Sequence, residues 1–128
     1  MSELSRVAIE KLREKFSDHV VAVALFGSAA RGETDERSDL DFLVILRGIP
    51  KTLQRRYEVY RPIHDAVAMR SGRGIDVTVL DLDEEFITDK DVEITSLMLN
   101  VAADAKVLYD PEGKLTTFLE RVRGLIQA

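Results

Sequence analysis

The chain has 128 residues, a net charge of −5, 45% hydrophobic against 32% charged residues, and no cysteine. That length suits one core and a single domain over residues 1–128, and the missing cysteine excludes disulfides, thiolate chemistry and cysteine–zinc sites. The acidic balance argues against general affinity for duplex nucleic acid, and no apolar run approaches the roughly 20 residues of a membrane span, so a cytoplasmic protein is expected.

Residues 3–16 carry Leu4, Val7, Ala8, Lys11 (through its stem) and Leu12 at helical spacing, with Ser2 able to cap the start. Residues 20–26, VVAVALF, are apolar throughout and rich in valine, which suits a strand covered on both faces. Gly27 and Ser28 end it and open toward a short helical segment. After a polar loop, 40–46 (LDFLVIL) reads as a second strand, stopped by Gly48 and Pro50. Residues 52–70 place Leu53, Tyr57, Tyr60 and Val67 on one helical stripe, where Pro62 predicts a kink or a new helix start. A third strand is expected at 75–80, IDVTVL.

Asp81 and Glu84 resemble a capping box for a short helix over 82–88. Ile94, Leu97, Met98, Val101 and Ala102 mark another helix, and Lys106–Tyr109 an edge strand. Asp110 and Pro111 then start a last helix as N-cap and first residue. Its stripe is Leu115, Phe118, Leu119, Val122, Leu125 and Ile126. Strands alternating with helices predict an α/β fold around a small mixed β-sheet.

Charge is unevenly spread: seven Lys/Arg against two Asp/Glu from Arg47 to Arg73, then two Lys against eleven Asp/Glu from Gly74 to Glu112. Two solvated helix faces are the plain reading, and a basic rim beside an acidic metal site is the other.

The stretch 25–45, LFGSAARGETDERSDLDFLVI, carries the chemistry. Asp39 and Asp41 stand at i and i+2, so both carboxylates leave one face of a strand whose neighbours Leu40, Phe42 and Val44 face the other way. Two ionised carboxylates repel, and a divalent cation removes the repulsion; magnesium takes one or two carboxylates together with phosphate oxygens. A bare Asp-x-Asp is more often a loop cap and an exposed strand residue. Gly27 and Ser28 shift that balance, because glycine admits phosphate close to the backbone and the following N–H groups and the serine hydroxyl donate to it. Arg31 can add a charge-assisted contact. The same stretch reads as G-x-x-x-x-G-E-T, but Glu33 stands where a P-loop needs lysine, and a carboxylate there repels phosphate. Asp76 shares a strand face with Thr78. If that strand neighbours 40–46, three carboxylates converge at one sheet edge.

A Gly-Ser turn, ten residues, Asp-x-Asp and a later strand aspartate resemble the minimal nucleotidyltransferases of the DNA polymerase β-like superfamily. Arg31-Gly32 and Ser38 are similar to that family as well. The resemblance implies a nucleotidyltransferase fold, with Gly27, Ser28, Arg31 and Ser38 on the nucleotide. It implies Asp39 and Asp41 on two Mg2+ ions, and Asp76 on the metal or proton of the attacking hydroxyl. It further implies transfer of NMP, with ATP the expected donor, to a hydroxyl acceptor. Members are often paired as antitoxin with a helical HEPN-type toxin whose tyrosine can receive AMP. The other reading is a binding protein that neutralises such a partner by contact alone. Acceptor, base preference and oligomeric state, a homo-oligomer included, stay open.

Other residues carry plainer readings. Asp81-Leu82-Asp83 is a second Asp-x-Asp, read as capping because no Gly-Ser precedes it and a helix is expected there. His64 reads as a packed or hydrogen-bonded histidine, Glu33, Asp35 and Glu36 as solvated loop charges, and Tyr57, Tyr60 and Tyr109 as core or interface residues.

Overall fold

The computed structural model describes residues 2–30, 39–71 and 76–127. Helix α1 (Glu3–Phe16) is capped by Ser2, whose hydroxyl accepts from the Ser5 amide at 3.1 Å. A single 3-10 turn, Ser17–His19, leads into β1 (Val20–Phe26). The one-turn α2 (Gly27–Ala30), β2 (Leu40–Leu46) and α3 (Leu53–Ser71) follow. The second half runs β3 (Val77–Asp83), α4 (Glu84–Thr88), α5 (Ser96–Asp104), β4 (Lys106–Tyr109) and α6 (Lys114–Gln127).

The four strands form one mixed sheet in the order β3-β2-β1-β4. β1 is antiparallel to β2 and to β4, whereas β2 and β3 are parallel, joined through α3 as a parallel pair requires. β1 is central and buried along nearly all its length, as its unbroken apolar run predicts.

Each face of the sheet carries a core. Val23, Leu25, Phe42, Val44 and Leu46 pack under α1 and α3, against Leu12, Phe16, Val59 and Ile63. Ala22, Ala24, Leu43, Ile45 and Leu82 pack under α5 and α6, against Val101, Leu115, Phe118 and Leu119. Val21 joins Ala22 on this second face because the β1–β2 register slips between Val20 and Ala22, and an extra residue in one strand breaks the alternation there.

Several expected details change. α3 continues through Pro62 as one helix, so no second helix starts there. Its buried stripe is Arg55, Val59, Ile63, Ala66 and Val67, whereas Leu53 and Tyr57 face solvent at 84% and 56% exposure. Val67 belongs to both stripes, and the buried arginine hides the rest, since a charged side chain inside a helix face breaks the hydropathy pattern that marks it. β3 begins at Val77 and continues to Asp83, later than the expected 75–80, and Ile75 lies outside the described residues. Asp110 and Pro111 form a turn, and α6 starts at Lys114. Asp110 still caps it, accepting from the Thr116 amide at 2.8 Å. Lys11, Leu97, Leu125 and Ile126, expected at buried helix faces, are exposed.

Candidate active site

β1 ends at Phe26, which pairs with Asp41 on β2. The chain then turns at Gly27 with φ +73°, a left-handed conformation that a side chain disfavours. A Cβ at Gly27 would collide with Oδ2 of Asp41 and lie 3.3 Å from its Cγ. Glycine is therefore needed twice: for the backbone angle, and to let the turn close onto a carboxylate. Ser28 follows in α2.

Asp41 is half-buried and Asp39, just before β2, is exposed. The carboxylate face does not stay open, because Leu43 and Ile45 continue it into the core under α5 and α6. Asp41 thus sits where an apolar core meets a polar edge. Burial raises its pKa above the ordinary carboxylate value, a hydrogen bond from the Thr78 side chain lowers it, and the charge of Asp39 raises it again.

The parallel register sets Leu40 against Val77 and Asp41 against Thr78, and the Leu40 amide donates to the Asp76 carbonyl at 2.9 Å. Asp76 thereby stands beside Asp39 at the start of the neighbouring strand, exposed to solvent. The register meets the condition of strand adjacency on which the expected convergence of three carboxylates depends. Arg31 and Ser38, with the loop charges Glu33, Asp35 and Glu36, lie outside the described residues.

Ion pairs recorded among the described residues leave out Asp39, Asp41 and Asp76. Nor do three potential ligand side chains among the described residues come close enough to cage an ion alone. Magnesium does not demand a protein cage: it keeps waters and takes one or two carboxylates together with phosphate oxygens. A half-buried carboxylate with an acidic neighbour, opening on a glycine turn, is a donor set that fits such a cation.

The second Asp-x-Asp overturns its capping reading. Asp81 lies inside β3, 1% exposed, on the opposite face of the strand from Thr78. Arg55, also 1% exposed, donates to it at 2.9 Å, to the Ile49 carbonyl at 2.7 Å, and to Asp83. Asp83 occupies the N-cap position of α4 without a side-chain capping bond. A surface hollow of about 550 Å³ opens between α4 and α6, lined by Ile87, Lys114, Phe118 and Arg121. It does not touch the carboxylates, so chemistry and not size identifies the site. His64 stacks on Tyr60 and contacts Asp65 at 3.3 Å, a surface role consistent with its hydrogen-bonded reading.

Sequence reasoning missed the contact of Thr78 with Asp41. Its signal was present, since Thr78 shares the alternation of Asp76, but only the strand pairing supplies the partner. Among the described residues no helix is long and apolar enough to cross a membrane.

A profile of the nucleotidyltransferase domain family matches residues 6–112. A Methanocaldococcus jannaschii protein named "Putative protein adenylyltransferase MJ1305" is 31% identical over 119 residues, covering 93% of this chain and 78% of the relative. A solved toxin–antitoxin structure with AMP-PNP superposes with a TM-score of 0.64 at 18% identity, covering 98% of this chain and 88% of that one. Spectinomycin adenyltransferase AAD(9) from Enterococcus faecialis, solved with ATP and spectinomycin, gives 0.63 at 15% identity, covering 94% and 63%. The two structures share the fold, and the family profile spans the turn and all three aspartates. The chain belongs to the nucleotidyltransferase domain family.

Proposed function

We propose that this protein transfers AMP from ATP to a hydroxyl, with release of pyrophosphate, at the edge formed by Gly27, Asp39, Asp41 and Asp76. The observation that carries the reading is the parallel pairing of β2 with β3, which brings Asp76 beside the Asp39–Asp41 pair against the Gly27 turn. The relative named as a protein adenylyltransferase supports the nucleotide and the class of acceptor.

Asp39 and Asp41 would hold two Mg2+ ions, with Asp76 sharing one. Bound there, such ions would neutralise charge at the phosphates and lower the pKa of the attacking hydroxyl. Gly27 leaves room for the triphosphate against the backbone, where the Ser28 hydroxyl, Arg31 and Ser38 are the proposed donors. The acceptor oxygen bonds to the α-phosphorus as the bond to the bridging α–β oxygen breaks. Pyrophosphate leaves, and the hydroxyl proton passes to Asp76 or to solvent through it. In-line positioning and electrostatic stabilisation are what phosphoryl chemistry asks of a protein.

The proposed acceptor is a tyrosine of a HEPN-type toxin partner. The toxin–antitoxin assembly of one fold neighbour supports a protein partner. A second reading, neutralisation by contact alone, is favoured by the exposed Leu97, Leu125 and Ile126 on α5 and α6.

The test is incorporation of label from ATP into a co-expressed HEPN protein, with pyrophosphate release followed in parallel. Label at the α-phosphate is expected to transfer and label at the γ-phosphate is not; γ-transfer would make the protein a kinase. Asp76→Asn is expected to keep Mg-ATP binding and lose most transfer. Transfer at the wild-type rate in that variant would remove Asp76 from the site. Silencing of the partner without any transfer would leave the contact reading.

A further inference from the structure

The geometry points to Thr78 as a positioning residue for Asp41, its neutral hydroxyl holding that carboxylate against the Gly27 turn while leaving its charge free for a cation. The inference rests on the site reading above and extends it to a residue outside the three aspartates.

Three observations meet at Asp41. Thr78 stands directly opposite it in the parallel register, on the same face of the sheet. From that position its hydroxyl lowers the pKa of the Asp41 carboxylate. From the other side, Oδ2 of Asp41 fills the space that a Cβ of Gly27 would need. The carboxylate is therefore bracketed between a glycine wall and a hydroxyl donor. Without a donor, repulsion from Asp39 and the pull of solvent favour rotation out of that bracket.

The kind of donor decides what the carboxylate can do. Asp81, five residues further on from Asp76 along the same strand, is held by the Arg55 guanidinium at 2.9 Å. That contact orients the carboxylate and neutralises it together. A threonine hydroxyl orients without neutralising, and its β-branched side chain has few rotamers to lose. Ligand carboxylates are commonly hydrogen-bonded in this way, and loss of such a partner typically weakens metal binding by about 10–100-fold. The competing explanation is that threonine at 78 merely suits an exposed strand position. Valine separates the two, being the same shape and an equally good strand former without the hydroxyl.

The experiment is a Mn2+ titration followed by electron paramagnetic resonance, with ATP present, on wild type, Thr78→Val, Thr78→Ser and Asp41→Asn. Melting curves in chelator are recorded for each. Thr78→Val is expected to raise the Mn2+ Kd roughly 10-fold with the metal-free melting temperature unchanged, and Thr78→Ser to recover most of the affinity. If Thr78→Val binds Mn2+ like wild type while Asp41→Asn does not, this inference falls and the site reading stands. Should Asp41→Asn also bind like wild type, the site reading itself fails. A drop in metal-free melting temperature for Thr78→Val, or no recovery by serine, would mark a packing role and overturn the inference.

Discussion

The two ends of β3 carry acidic residues on opposite faces and treat them oppositely. At the start, Asp76 stands beside Asp39 and Asp41, and no recorded ion pair among the described residues involves them. About 16 Å further along, at ~3.3 Å per residue, Asp81 and Asp83 emerge on the other face and meet Arg55. Arg56 adds a longer contact to Asp81 at 3.5 Å. Beyond them Glu84 is held by Arg47 at 2.6 Å and by Lys114 at 2.7 Å, with Glu112 in the same cluster. One edge is neutralised by the chain itself and ties α3, β3, α4 and α6 together. The other is given no counter-charge by the described residues, and suits a cation supplied from solution. An Asp-x-Asp motif therefore has no fixed meaning: its counter-charge decides whether it is structure or site.

The comparison can be broken most severely at the charged edge. Asp39→Asn/Asp41→Asn is expected to lower transfer roughly a thousandfold, about 4 kcal/mol. Its metal-free melting temperature is expected to match or exceed that of wild type, because the burial of the Asp41 charge, and after it the repulsion from Asp39, no longer oppose folding. Label transfer and calorimetry on the same preparation check both halves. A variant that melts low but still transfers would reverse the assignment.

At the neutralised edge the pattern should invert. Asp81→Ala leaves the buried Arg55 short of a partner and is expected to cost about 3 kcal/mol of stability, read by urea unfolding. Mn2+ affinity should barely move. Replacing both partners, Arg55→Met with Asp81→Leu, should restore much of the loss, because the desolvation of two ions is then avoided.

Gly27→Ala joins the two kinds of effect. The left-handed φ of +73° costs an alanine about 1–2 kcal/mol, and the new methyl pushes on Asp41. Reduced melting temperature together with weaker ATP binding is the expected signature, measured by calorimetry and fluorescence titration. Loss of stability alone would mean that the turn does not approach phosphate.

Glu84→Gln should give the smallest change and a pH-dependent one. The hydrogen bond from Lys114, then that from Arg47, holds the Glu84 pKa below its ordinary value despite partial burial. The folded state therefore binds fewer protons than the unfolded one. The stabilisation is complete above the unfolded glutamate value of about 4.3 and disappears as pH falls through the lowered folded value. Wild type and variant should differ by up to about 1 kcal/mol near neutral pH and converge in stronger acid, read from urea melts at both. A gap that persists in acid would assign the effect to packing.

Much of the site was legible because its signals are local. Gly27 follows a buried strand, and Asp39 and Asp41 are two residues apart, so backbone alternation alone puts them on one face. Ser2 and Asp110 likewise cap helices within a few residues of themselves. The unread parts depend on residues far apart in the chain. Arg55 and Asp81 are 26 residues apart, and hydropathy assigns each to a surface. Only contact between them makes their burial tolerable, so the true stripe of α3 and the role of the second Asp-x-Asp could not be foreseen. The order β3-β2-β1-β4 is of the same kind, since nothing local says which strand lies beside β2. Sequence alone determined the element types, the glycine turn and the paired carboxylates, because short-range geometry dictates them. Tertiary structure decided that Asp76 and Thr78 stand beside Asp39 and Asp41, and that Asp81 does not belong with them. Strand pairing and the nearest counter-charge are properties of the folded chain, where distance in space and not along the sequence sets the energy.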